Sequence, residues 1–175
     1  MESQKDKKKL YLMAGAPGSG KSHWINTHLN SFTGTTKKVS RDTIRFSVLE
    51  EGDEYFSKEH IVYTTFVDEI KDGLLHYDNT IADATHLNPA SRRKLLRSLG
   101  EDLKDVEVNI IIIDTPVAVC LNQNDQREGL SKVPHSVVRR MFYSFVMPTL
   151  DEGFDNIIIY SKVGDNVKYS IVKKE

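Results

Sequence analysis

The chain has 175 residues, 24 lysines and arginines against 25 aspartates and glutamates, and a formal net charge of −1. That length fits one domain with a sizeable core, and the near-neutral balance excludes the global basic field of a protein that coats nucleic acid. The single cysteine, Cys120, excludes an internal disulfide and suits a reducing cytoplasm, and no apolar run is long enough to cross a membrane.

Residues 1–9 are polar and lysine-rich, which predicts a flexible tail without the apolar stretch of a secretion signal. Leu10 to Ala14 reads as a buried strand and Lys21 to Leu29 as a helix. Between them lies Gly15-Ala16-Pro17-Gly18-Ser19-Gly20-Lys21-Ser22, which fits the phosphate-binding loop G-x-x-x-x-G-K-[ST] at every fixed position. The glycines let backbone N–H groups turn onto phosphate oxygens, and the helix N-terminus adds partial positive charge. Lys21 would reach the β- and γ-phosphates of ATP or another nucleoside triphosphate, and the Ser22 hydroxyl would ligate Mg²⁺.

Lys38 to Ser40 predicts a short strand ending at Arg41-Asp42. An acidic loop, Glu51 to Glu54, precedes a helix over 55–75 with Phe56, Tyr63, Val67, Ile70 and Leu74 on one face. Thr80 to Ala82 is a strand ending at Asp83, expected beside the phosphate-loop strand. From there Asp83 could hold Mg²⁺ through water. Asn88 and Pro89 open a helix that Gly100 closes, and Val106 to Ile113 is β-branched enough for a central strand. Asp114 reads as a turn former. Cys120, in the apolar run Val117 to Leu121, reads as a small buried hydrophobe. Pro134 opens a helix over 137–147 that Pro148 stops, Asn156 to Tyr160 is a last core strand, and Val167 to Val172 is an edge strand. The alternation predicts an α/β domain with a mainly parallel sheet covered on both faces, whose ligands sit at the carboxyl ends of the strands.

At one such end, Asp42 and Arg45 lie one helical turn apart. They can be a proton acceptor and a charge-spreading guanidinium in a cleft, or a surface ion pair beside an N-cap. Arg92-Arg93-Lys94 with Arg97 is either a phosphate-binding patch or a solvated helix face. His86 and His135 have no metal-ligand spacing and read as helix-start or surface histidines.

Several motifs occur in order: the phosphate loop and Trp24, Ser40-Arg41-Asp42 with Arg45, Asp83-Ala84-Thr85-His86-Leu87-Asn88-Pro89 with Arg92 and Arg93, Val133-Pro134, and Arg140-Met141. Together they resemble the 5′-kinase domain of phage polynucleotide kinases, within the zeta-toxin-like group of P-loop kinases. The resemblance spans about residues 10–150 and implies a single P-loop kinase domain over 1–175 with a short lid at about 122–133. It implies that Asp42 is the general base for a 5′-hydroxyl of DNA or RNA and that Arg45 contacts the acceptor strand. It places Asp83 on the acceptor and metal side, and it makes Arg127 the lid arginine that clamps the donor phosphates. The chain departs from that pattern at His23, at Gln123 and by one residue between Arg127 and Val133. A kinase of a small hydroxyl compound is the alternative; a nucleotide-gated switch fits less well, since it needs no acceptor base.

Overall fold

The computed structural model describes residues 6–175. Six strands form one sheet in the order β2-β3-β1-β4-β5-β6. They are β1 (Lys8–Ala14), β2 (Thr36–Ser40), β3 (Asn79–Asp83), β4 (Val106–Asp114), β5 (Asn156–Val163) and β6 (Asn166–Lys173). The first five are parallel and β6 returns antiparallel to β5. The helices are α1 (Lys21–His28), α2 (Arg41–Val48), α3 (Glu59–His76), α4 (Pro89–Leu99), α5 (Val117–Asp125) and α6 (His135–Tyr143). The predicted α/β architecture, with helices on both faces of a mainly parallel sheet, is therefore the observed one.

Strand alternation divides the core. Leu10, Leu12, Ala14, Val108, Ile110 and Ile112 face Val62, Phe66, Ile70, Leu95 and Leu99 of α3 and α4. Met13, Ile111 and Ile113 face Trp24 and Ile25 of α1 on the other side. A third cluster joins Ala16 of the phosphate loop to Cys120 and Leu121 of α5 and Val138 of α6, so Cys120 is the buried hydrophobe expected.

Local chemistry explains the helix ends. The Asn88 side chain accepts from Ser91 N at 2.9 Å with Pro89 in the first turn, and Gly100 caps the far end of α4 with a φ of 45°. Ser40 caps α2 by accepting from Thr43 N at 3.2 Å, which leaves Asp42 inside the first turn with its carboxylate free for other work.

Four expectations change, the first being that the helix expected over 137–147 runs over His135–Tyr143 and ends at Ser144, before Pro148 can act as its stop. Residues 1–5 of the predicted tail lie outside the described residues, while Lys8 and Lys9 already belong to β1, and the Lys8 ammonium donates to the Leu74 carbonyl at 2.8 Å. The helix expected from residue 55 begins at Glu59, because residues 55–58 make turns, leaving Phe56 exposed and outside the core. Asp114 ends β4 and accepts from Ser161 Oγ at 3.1 Å.

Arg92 is the main correction. The sequence reading put it on the acceptor-binding face, but it is 0% exposed. Its Nε and Nη2 donate to the two oxygens of Glu152 at 2.7 and 2.9 Å, and Nη1 donates to the His86 carbonyl at 3.0 Å. Each of the three guanidinium nitrogens is engaged within the fold and the side chain has no exposed surface, so it does not face a ligand. Replacing Arg92 alone with methionine is expected to destabilise the protein by about 3–5 kcal/mol, because Glu152 would stay buried without a partner. The double variant Arg92→Met, Glu152→Leu should recover most of that loss in urea unfolding.

Candidate active site

The phosphate loop sits between β1 and α1, at the centre of the carboxyl edge of the sheet. Its glycines are required by close approach. A methyl group at Gly18, which has a φ of 78°, would lie 2.2 Å from the Cys120 carbonyl oxygen; one at Gly15 would lie 2.7 Å from Ser19 Oγ. Gly15 N donates to the Thr85 carbonyl at 3.0 Å and Thr115 Oγ1 donates to the Ser19 carbonyl at 2.7 Å. The loop is thus fastened to the β3–α4 connection on one side and to the β4–α5 connection on the other. Gln123 of α5 also approaches, with Oε1 3.8 Å from the position of a Cβ at Gly20.

Lys21 donates to the carbonyls of Gly15 and Ala16 at 2.9 and 3.0 Å. Burial is the main cause that pulls its pKa down to about 8, while Asp83 and Asp42 pull it up and Arg127 adds to the depression. Ser22 Oγ donates to Asp83 Oδ2 at 3.0 Å, and Lys38 Nζ lies 3.7 Å from the same oxygen. β1 pairs with β3, as expected, so Asp83 stands beside the loop. No group of three or more histidine, cysteine or acidic residues among the described residues could hold a metal alone. Mg²⁺ asks for less: a hydroxyl and a carboxylate beside nucleotide phosphates and water satisfy it, so Ser22 and Asp83 fit that ion.

Asp42 lies across from the loop, because Ser40 of β2 is level with Asp83 of β3. Its side chain is 59% exposed. Oδ1 accepts from Arg45 Nη1 at 2.5 Å and from the Tyr55 hydroxyl at 2.9 Å, while Oδ2 accepts no hydrogen bond among the described residues. Burial, then the Asp42 charge, pushes the Tyr55 phenol up to about 12, so it stays a donor. Arg45 makes the i,i+3 pair foreseen, but not at the surface: it is buried, and its Nη2 donates to Glu59 Oε2 at 2.8 Å. Arg41 Nη2 donates to the other Glu59 oxygen, and its guanidinium lies 5.5 Å from the Tyr63 ring centroid. The Nε atoms of both arginines are buried without a hydrogen-bond partner among the described residues.

Arg127, half-buried after α5, holds the Ser131 carbonyl only loosely at 3.5 Å. The predicted lid segment is the end of α5, a loop and a short 3₁₀ turn at Gly129–Ser131. Arg93 is half exposed and lies 3.9 Å from Asp151. His86 is buried rather than at the surface: Nδ1 donates to the Met13 carbonyl at 2.5 Å, and burial draws its pKa down to about 4, so the ring is neutral near pH 7. His135 is the exposed helix-start histidine expected, 2.6 Å from Asp125. Sequence reasoning missed Tyr55 and Glu59 as site residues. The only available signal for Glu59 was two arginines, Arg41 and Arg45, four apart on one helix face.

A family model described as an AAA domain (AAA_33) matches residues 10–148. The chain belongs to this AAA domain family. The transcription factor bHLH140 of Arabidopsis thaliana is 23% identical over 163 residues, which is 90% of this chain and 16% of that protein. The chain therefore spans about one sixth of that relative. A chain of the Pnkp1/Rnl/Hen1 RNA repair complex superposes with a TM-score of 0.66 at 20% identity, over 82% of this chain and 45% of that one. A gluconokinase from Sinorhizobium meliloti 1021 superposes with a TM-score of 0.54 at 13% identity, over 90% and 84% of the two chains. This AAA-domain member thus has a P-loop kinase-like fold. No helix among the described residues is long and apolar enough to cross a membrane.

Lys21 generates a pH prediction. The folded value of about 8 lies below the ordinary 10.5, so the unfolded chain binds more protons between those values and stability rises with pH across that window. Nucleotide phosphates favour the charged ammonium. ATP affinity is therefore expected to fall as pH rises through about 8 to 9.5, and binding near pH 8.5 should take up a proton. Calorimetry in two buffers of different ionisation enthalpy measures that uptake, which Lys21→Met should abolish.

Proposed function

We propose that this AAA-domain protein is an ATP-dependent kinase that transfers the γ-phosphate to the 5′-hydroxyl end of a polynucleotide. The observation that carries the reading is the Asp42 carboxylate. One oxygen is held by Arg45 and Tyr55, and the other accepts no hydrogen bond among the described residues, which leaves it open to an acceptor hydroxyl. A nucleotide switch needs an oriented water and no such base.

The loop N–H groups and Lys21 hold the β- and γ-phosphates, with Lys21 exchanging the Gly15 and Ala16 carbonyls for phosphate oxygens. Ser22 and Asp83 would hold Mg²⁺, which would offset the phosphate charge there. Asp42 Oδ2 takes the proton of the acceptor hydroxyl as its oxygen bonds to the γ-phosphorus and the bond to the ADP oxygen breaks. Arg127 spreads the charge on the moving phosphoryl group. Arg45 fixes the base, and with Arg93 supplies cationic character on the acceptor side.

The burial of Arg92 removes one cation from that side and favours a second reading, a kinase of a small hydroxyl compound. Incubation with γ-labelled ATP and a panel of 5′-hydroxyl oligonucleotides, nucleosides and sugars decides between them; label on sugar or nucleoside alone refutes the polynucleotide acceptor. Asp42→Asn should slow transfer roughly 10²–10⁴-fold with ATP affinity little changed. A loss confined to ATP affinity would instead make Asp42 a donor-site residue. Acceptor affinity should decline with salt at a log–log slope between about −1 and −3, the signature of a few phosphate contacts.

A further inference from the structure

Two phenylalanines stand exposed beside the Asp42 carboxylate. Phe46 lies four residues after Asp42 on α2, on the same helix face, and is 38% exposed. Phe56 is 58% exposed. Both meet the ring of Tyr55 edge to face, with centroids 6.3 and 4.6 Å away, and the Tyr55 hydroxyl is the group that donates to Asp42. The Arg45 guanidinium lies 4.5 Å from the Tyr55 centroid and 5.5 Å from that of Phe56. The core does not use these rings: Phe56 precedes the first turn of α3, and neither phenylalanine belongs to a buried cluster. Lys58 lies 2.9 Å from Asp53 and 3.6 Å from Glu50 of the acidic loop between the two phenylalanines, one cation against two carboxylates, and Glu51 and Glu54 of that loop are exposed to solvent.

We propose that Phe46, Tyr55 and Phe56 form a stacking face for the nucleobase next to the accepted hydroxyl. The inference rests on the polynucleotide reading above and adds to it how the strand end is held. Every base has a π-face, so aromatic stacking grips a strand end regardless of sequence, and a guanidinium beside the rings adds cation–π attraction. Phosphate contacts alone would leave the terminal nucleoside free to rotate away from Asp42. A stacked base limits that rotation and keeps the hydroxyl near Oδ2.

The test uses the full chain and two 5′-hydroxyl oligonucleotides, one with 2-aminopurine as its 5′-terminal base and one with an abasic residue there. Wild-type protein should quench the 2-aminopurine emission on binding. Phe46→Ala and Phe56→Ala should each restore emission and raise KM for the base-bearing acceptor roughly 5- to 100-fold, with kcat less affected. The abasic acceptor should have a high KM already in the wild type and change little in the variants. Phe56→Leu keeps apolar volume without a π-face; it should behave like Phe56→Ala if stacking matters, and it guards against an alanine variant that does not fold. Quenching and KM both unchanged in the double variant Phe46→Ala, Phe56→Ala, equal KM increases for both acceptors, or full rescue by leucine would each overturn the stacking face while leaving the kinase reading intact. If the wild type phosphorylates neither oligonucleotide but labels a small compound, the polynucleotide reading itself fails.

Discussion

A guanidinium keeps its charge at any pH at which a protein folds, so burying Arg92 obliges the fold to bring a carboxylate to it. Glu152 arrives from the far side of α6, in a short turn whose Thr149 N also donates to Glu152 Oε1 at 3.2 Å. The remaining arm of Arg92 fixes the His86 carbonyl. The neighbouring Thr85 carbonyl accepts the first amide of the phosphate loop, and the His86 ring reaches back to β1. The ion pair therefore determines where the β3–α4 connection runs, and that connection determines where the loop sits. A residue that looks like a ligand-binding arginine in a basic run serves the binding loop from beneath.

The two halves of the cleft are organised differently. The donor half lies at the middle of the sheet, where glycine-backed close contacts with β4 and α5 leave the loop little freedom. The acceptor half lies at the margin, because β2 is an edge strand. There one carboxylate, Glu59, is shared between Arg41 and Arg45, and the Nε groups of both arginines are buried without a hydrogen-bond partner among the described residues. In the donor half Lys21 rests on carbonyls of its own loop, while Ser19 Oγ of that loop is buried without a hydrogen-bond partner among the described residues.

Local signals were legible wherever a residue's own backbone demanded them. The Gly15 to Ser22 loop, the Asn88 cap, the Gly100 stop and the β-branched run of β4 all appear where their residue types place them. Cys120 was read correctly as buried, but α5 around it was not read as a helix, since its nine residues are apolar or uncharged until Asp125 and carry little amphipathic contrast. Phe56 satisfied the helical spacing of α3 and still lies outside that helix, because turns at residues 55–58 overrode the periodicity. Arg92 and Glu152 lie 60 residues apart, and nothing local distinguishes a buried arginine from its solvated neighbours Arg93 and Lys94. Asp42 and Arg45 were visible as a pair; Tyr55 and Glu59, which complete their environment, come from beyond the next loop and depend on how α3 crosses α2.

The sheet order has a consequence for synthesis. β1 precedes the other strands of the sheet in sequence yet stands between β3 and β4, so its two rows of hydrogen bonds wait for residues 79–83 and 106–114. Closing loops of that size is slow relative to forming helices or hairpins. While the ribosome is still adding α3, the apolar run Leu10 to Ala14 has no partner strand, and the phosphate loop after it has neither Thr85 nor Thr115 to fasten it. Until residues 79–114 have joined the sheet, the apolar β1 run stays unpaired, and exposed apolar segments of this kind are where folding chains associate wrongly.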